Sequence, residues 1–318
     1  MTSNDASAIG GAGPPGAVDV AAAAQLACLL EASAPKPGNV SPGRHFADAR
    51  YEDFLASAAA IGAPLAGAGT RPLGATVRLA IESTARWTRS NTNLGIVLLL
   101  APLARAAERR VGVGSLLRNQ QSRSQEMQKA PDTDTPLRDA LRGVLEETSV
   151  DDARDVYAAI RRAAPGGLGR ATAQDVRDDP TMTLLDVMRL AADRDGVARE
   201  YATAFEVTFE RGAPALDRAR RDGLCWNDAV VETFLTLLAA GPDTHVARRD
   251  PAVAAQVSQQ AHTALAAGGV RSAAGRQAID EMDLALRDGR HTCNPGTTAD
   301  LTAAAIFVVL LGGGWQVK

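Results

Sequence analysis

Apolar residues recur every three to four positions through most of the chain, and Gly/Pro-rich breaks punctuate them. That period places one stripe of each segment on a buried helical face. It predicts helices over 18–32, where Leu26, Leu29 and Leu30 supply the apolar face, and over 51–61 and 72–87. The segment 92–107 carries Leu94, Ile96, Val97, Leu98, Leu99 and Leu100; it is apolar nearly all round and belongs at the centre of a bundle. Further helices are expected over 135–145, 149–164, 183–192, 197–212, 213–221, 226–238, 251–267 and 271–288, with a last apolar helix after Asn294-Pro295-Gly296. Three prolines and two glycines force 33–44 into a loop, because each proline blocks a helical hydrogen bond. No segment alternates with the period of a strand. The expectation is an all-α fold, one multi-helix bundle domain over 18–318 whose Gly/Pro-rich loops form a central pocket. Residues 1–17 read as a flexible tail and 118–136, polar with little to bury, as a mobile surface insertion.

Composition sharpens this. Hydrophobic residues make up 46% of the 318 but aromatics only 4%, so the core is built of Ala, Leu and Val, two of them strong helix formers. The formal charge of −3 speaks against a nucleic-acid binder. The last apolar stretch, 301–311, is too short to cross a bilayer, so no membrane association is expected. Cys28, Cys225 and Cys293 are widely spaced, as in a reduced cytoplasmic protein, and the four histidines are too scattered to suggest a zinc site. Ala/Leu-rich helices often pair, which leaves room for a homo-oligomer.

Four polar breaks could carry chemistry, since interrupted helices expose backbone N–H groups suited to phosphate or carboxylate ligands. The first runs Pro35-Lys36-Pro37-Gly38-Asn39 to Arg44-His45. Here Lys36 and Arg44 could grip phosphates and Gly38 could admit a ligand closely, or the stretch is a connector with solvated charges. The second is Asn91-Thr92-Asn93, ahead of the most apolar helix, as pocket floor or as helix caps. Upstream, Glu82 either reaches the pocket or pairs with Arg86 four residues on. The third is Gly241-Pro242-Asp243-Thr244-His245 with Arg248. Its Asp243 reads as a base, a metal ligand or a turn former. The fourth is Asn294-Pro295-Gly296-Thr297-Thr298-Ala299-Asp300, where Gly296 and Thr298 precede a helix with Asp300 in its first turn. Walker A, G-x-S-x-G and H-E-x-x-H motifs are missing from the sequence, and no glycine fingerprint follows a strand as a Rossmann fold requires.

Together these segments resemble the triphosphoribosyl-dephospho-CoA synthase family over most of 24–312. Glu31-Ala-Ser-Ala-Pro-Lys36-Pro37-Gly38-Asn39-Val40 resembles the family's glutamate, serine and proline-lysine-proline-glycine stretch, with Asp48 as its following aspartate. Asn91-Thr92-Asn93-Leu94-Gly95 aligns with an asparagine-threonine-histidine-lysine-glycine motif. Pro295-Gly296-Thr297-Thr298-Ala299-Asp300-Leu301 resembles the C-terminal motif, and Trp226-Asn227-Asp228-Ala229 and Asp243-Thr244 fit between. The resemblance implies an all-α transferase that joins the ribose C1 of ATP to the 2′-hydroxyl of 3′-dephospho-CoA and expels adenine. It implies substrate contacts from Lys36, Gly38, Asn39, Arg44, Asn91, Thr92, Asn93, Arg248, Gly296 and Thr298, with Lys36 and Arg44 suited to the phosphates. It further implies a catalytic carboxylate among Glu31, Glu82 and Asp243, and Mg²⁺ on Asp243 and Asp300. Asn93 and Leu94 replace the motif's histidine and lysine. The chain in this respect resembles a divergent branch linked to one-carbon cofactors of the tetrahydromethanopterin or methanofuran kind, and its donor or acceptor is open. Two competing readings are a metal-assisted glycosidic hydrolase using Asp243 and Asp300, and a non-catalytic helical subunit of a biosynthetic complex.

Overall fold

A computed structural model describes residues 17–120, 134–287 and 293–315. The expected tail and the middle of the expected insertion lie outside these residues. Among the described residues there is no strand, and the one β-bridge joins Ser41 to Arg44. The helices are α1 (Ala17–Ser33), α2 (Tyr51–Ala60), α3 (Gly62–Ala66), α4 (Leu73–Thr84), α5 (Leu94–Gln120), α6 (Asp134–Glu146), α7 (Val150–Ala163), α8 (Leu184–Ala191) and α9 (Gly196–Thr203). A π-helical turn at Thr208–Gly212 leads into α10 (Ala213–Arg221), α11 (Trp226–Ala239), α12 (Thr244–Ala247), α13 (Pro251–Ala266), α14 (Ala273–Leu286) and α15 (Gly296–Leu311).

The two most apolar helices form the centre. Leu99, Leu100 and Leu103 of α5 and Ile306 and Phe307 of α15 are fully buried, and α15 packs on α1, α5 and α11. No described helix is long and apolar enough to cross a membrane.

The structure departs from the sequence expectation in two places. First, α5 runs on to Gln120, beyond the expected end at 107 and into the expected insertion. It does so despite Pro102, which has no N–H to give the Leu98 carbonyl one turn back. The buried Tyr201 hydroxyl donates to that carbonyl instead, at 2.7 Å. A Tyr201→Phe variant is therefore expected to lose about 1–3 kcal/mol by orphaning a buried carbonyl, read as a lower denaturant midpoint at unchanged slope.

Second, the single helix expected over 197–212 is broken, with Ala204 and Phe205 both at positive φ. The cause is Glu200, a fully buried carboxylate that accepts the N–H groups of Val207 at 3.0 Å and Thr208 at 2.9 Å. Those bonds cap a new helical turn rather than continue the old one.

Candidate active site

A cavity of about 250 Å³ opens where the N-terminal ends of α5 and α15 meet α7, α8, α9 and the loop 165–176. Its polar lining includes Asn91, Asp195, His245, Arg248, Thr297 and Asp300. Its apolar lining includes Leu94, Leu98, Val156, Ile160, Val187 and Met188. The loop that closes one side is fixed from within: Asp175 accepts the Ala171 N–H at 2.7 Å, and the Tyr157 hydroxyl donates to the Gln174 carbonyl at 2.6 Å.

Asp300 is the central group. It lies near the N-terminal end of α15 against the start of α5, so close that a Cβ on Gly95 would fall 2.0 Å from its Oδ2. Only glycine fits there. Burial, followed by the neighbouring Glu31, Asp243 and Asp195 carboxylates, raises its pKa well above the ordinary range, with Arg248 opposing. It accepts no hydrogen bond from the described residues and lines the cavity.

The surrounding residues are held in place by caps. Asp195 caps α9 by accepting the Ala198 N–H at 3.0 Å, and its second oxygen pairs with Arg248. His245 is pushed towards the neutral imidazole chiefly by burial, with Arg248 and Arg249 adding to the effect and Asp243 and Asp195 opposing it. The Thr244 hydroxyl accepts the Gly196 N–H at 3.0 Å and meets the Thr297 hydroxyl at 3.0 Å, tying α9, α12 and α15 together.

Asp243 has a different place from the base or metal ligand expected of it. One oxygen accepts the N–H groups of His245 (2.8 Å) and Val246 (3.1 Å); the other accepts the N–H and hydroxyl of Thr298, both at 2.7 Å. It is buried and saturated. It positions α12 and α15, and Thr298 serves as its partner rather than as a substrate contact. Gly296 lies against the His245 ring, 3.3 Å from Nδ1 for a built Cβ.

The Lys36 loop is likewise turned inward. Lys36 is 1% exposed and pairs with Glu31 at 2.9 Å, so it has no face for a phosphate. Gly38 takes a left-handed φ of 75° and donates its N–H to Asp283 at 2.8 Å. A Cβ on it would fall 3.0 Å from Leu286 and 3.1 Å from Pro295. Arg44 binds Asp283 at 2.9 Å, and the Asn39 carbonyl accepts from Arg287 at 2.6 Å. The loop is thus a plug between α1 and α14. Glu31, its anchor, still bears on the cavity through its charge, which acts on both Asp300 and the buried Cys28.

Glu82 sits exposed on α4 beside Arg78 at 3.9 Å, away from the cavity and not paired with Arg86. Thr92 bonds Ser57 at 2.5 Å and Asn93 bonds Thr84 at 3.1 Å; both line a smaller cleft beside the cavity rather than the cavity itself. Of the expected site residues, then, Asn91, Arg248 and Asp300 meet in the cavity. Sequence reasoning misses Asp195 and Arg194 and places His245 in a candidate segment without giving it a role. The signal for Asp195 is present: an Asp-Gly pair directly before a helical period is a cap, and caps at cavity edges hold charge there.

Among the described residues no three His, Cys, Asp or Glu side chains converge as a ready metal site. With Asp243 saturated, the expected Asp243–Asp300 metal pair reduces to Asp300.

A family model described as ATP:dephospho-CoA triphosphoribosyl transferase matches residues 17–318. The protein named "probable 2-(5''-triphosphoribosyl)-3'-dephosphocoenzyme-A synthase" of Pseudomonas putida is 35% identical over 136 residues, 41% of this chain and 48% of that one. A protein of the same name from Lactiplantibacillus plantarum is 31% identical over 160 residues, 48% of this chain and 54% of that one. The chain thus spans about half the length of the curated relatives it matches. A crystal structure from Archaeoglobus fulgidus, provisionally assigned as a triphosphoribosyl-dephospho-CoA synthase, superposes with a TM-score of 0.58 at 28% identity, covering 82% of this chain and 98% of that one.

Proposed function

Because the chain belongs to the ATP:dephospho-CoA triphosphoribosyl transferase family, we propose that it moves a phosphorylated ribosyl group from ATP, or a similar donor, to an alcohol acceptor in cofactor biosynthesis. The observation that carries this reading is Asp300, an uncommitted carboxylate of raised pKa lining the cavity.

The chemistry breaks the bond between ribose C1 and the leaving base and forms one from C1 to the acceptor oxygen. The hydroxyl proton needs an acceptor, and a carboxylate whose pKa is raised by burial and neighbouring carboxylates suits that task. The same negative charge supports the positive character that develops at C1. The neutral His245 ring and the Asn91 amide supply hydrogen-bonding groups for the departing base, whose nitrogen gains the proton. The apolar wall of Leu94, Leu98, Val187 and Met188 limits water, which favours transfer to an alcohol over hydrolysis.

Mg²⁺ fits in a restricted way. Asp300 is the carboxylate able to ligate it, and this ion is commonly held by one or two carboxylates with substrate phosphates completing the shell. When bound it would offset the triphosphate charge.

Incubation with ATP, Mg²⁺ and dephospho-CoA is expected to release free adenine. No release, together with no ATP binding by calorimetry, would defeat the proposal in this form. ATP binding without release would direct the search to other alcohol acceptors, those of tetrahydromethanopterin- or methanofuran-type cofactors first, since Leu94 and Asn93 alter the motif beside the cavity. Release of free triphosphoribose with water as acceptor would favour the hydrolase.

A further inference from the structure

We infer that Arg89 and Arg162 form a second subsite, joined to the main cavity at Asn91, that binds a phosphate group of the substrate. As a deeper account of the same site, it rests on the transfer reading for the identity of that phosphate.

The starting point is a shortage of cations. Lys36 is spent on Glu31, Arg44 on Asp283 and Arg248 on Asp195. The main cavity meanwhile sets Asp175, Asp195 and Asp300 against Arg194 and the committed Arg248. A phosphate chain placed there would meet more carboxylates than cations.

Beside it lies a smaller cleft of about 30 Å³, between the C-terminal end of α4, the last turn of α7 and the segment that leads into α5. Its lining includes Arg89, Arg162, Thr84, Thr88 and Ser90, and no carboxylate. Asn91 lines both spaces. Arg89 and Arg162 are exposed and make no hydrogen bond or ion pair with the described residues. Two arginines that line one small cleft without a carboxylate offer an anion with several oxygens charge-assisted hydrogen bonds.

Asn91 adds a directional argument. Its Oδ1 accepts the Leu94 N–H at 3.1 Å, which leaves its amide N–H₂ as a donor towards the boundary between the two spaces. Carboxylates in one space and unpaired guanidiniums in the next create a gradient of potential across Asn91. A substrate with a phosphorylated arm then settles with the terminal phosphate at Arg89 and Arg162, and with its inner phosphates and reacting carbon on the Asp300 side of Asn91.

The test is calorimetric titration of the full chain with inorganic tripolyphosphate, comparing wild type with Arg89→Ala, Arg162→Ala and the double variant. Arg218→Ala, an exposed arginine on α10, serves as the control for general charge. Each single variant is expected to weaken binding about tenfold and the double about a hundredfold, with unchanged melting temperatures and Arg218→Ala within about twofold of wild type. In the transfer assay the expected change is a higher KM for the donor at nearly constant kcat. No tripolyphosphate binding by the wild type, or equal binding by the double variant, overturns the subsite. The two readings fail separately. Arginine-dependent binding without adenine release leaves the subsite standing and removes the ribosyl transfer. Adenine release with an unchanged donor KM in the double variant does the reverse.

Discussion

An Asp300→Asn variant is expected to lose about a thousandfold in transfer rate, within the range that removal of a proton acceptor costs, while remaining folded. The amide keeps the shape that fits against Gly95 and cannot take a proton from an alcohol. Its stability should move in the opposite direction to its activity. The Asp300 pKa is raised in the folded protein by burial and by three neighbouring carboxylates. Its contribution to stability is therefore fully present below the unfolded-state value of about 3.9 and is lost as pH rises through the folded value. The amide does not ionise and carries no such loss, so the variant should gain on wild type as pH increases. Thermal melts at pH 5 and pH 8, paired with adenine-release assays, check both halves. Full activity in the variant would remove Asp300 from the chemistry, and a stability difference that shrinks with pH would contradict the carboxylate cluster.

Lys36→Ala is expected to act through the fold. It strands Glu31 as a buried, unpaired carboxylate, at a cost of about 3–5 kcal/mol, or a fall in melting temperature on the order of 10 °C. Pairing Lys36→Met with Glu31→Gln removes both charges, and that double variant should recover much of the loss. A Lys36→Ala protein that melts like wild type would contradict the buried pair. Loss of activity at Lys36 by itself therefore says nothing about phosphate contacts, and the Arg89 and Arg162 variants are the ones that do.

Most of the helices were legible in the sequence because each begins or ends at a residue with a local effect: Pro and Gly at 35–43, Ser149 before α7, Asn294-Pro295-Gly296 before α15. The limits of α5 and α9 were not, because their causes lie elsewhere in the chain. Pro102 is compensated by a tyrosine far along the chain that bonds a carbonyl 103 positions before it, and the end of α9 is set by where the Glu200 carboxylate points. The site was legible in part for the same reason. Asp300, near the start of α15, and Arg248, which caps the end of α12, lie at helix termini and line the cavity. Lys36 and Arg44 had the right chemistry for phosphate, but their charges are answered by Glu31 and Asp283, the latter 239 positions from Arg44. Composition counts charges; only packing decides which of them are already neutralised.

The Tyr201–Leu98 bond has a practical consequence. Leu98, whose carbonyl Pro102 leaves without its helical donor and Tyr201 satisfies, also lines the cavity. The backbone beneath Leu98 is thus clamped at the point where a substrate would press on it, and the apolar wall behaves as a mould with exchangeable inserts. Changing the accepted alcohol should then be a matter of trimming or enlarging side chains at Leu94 and Leu98 on a scaffold that stays still, without redesign of the loops that surround it.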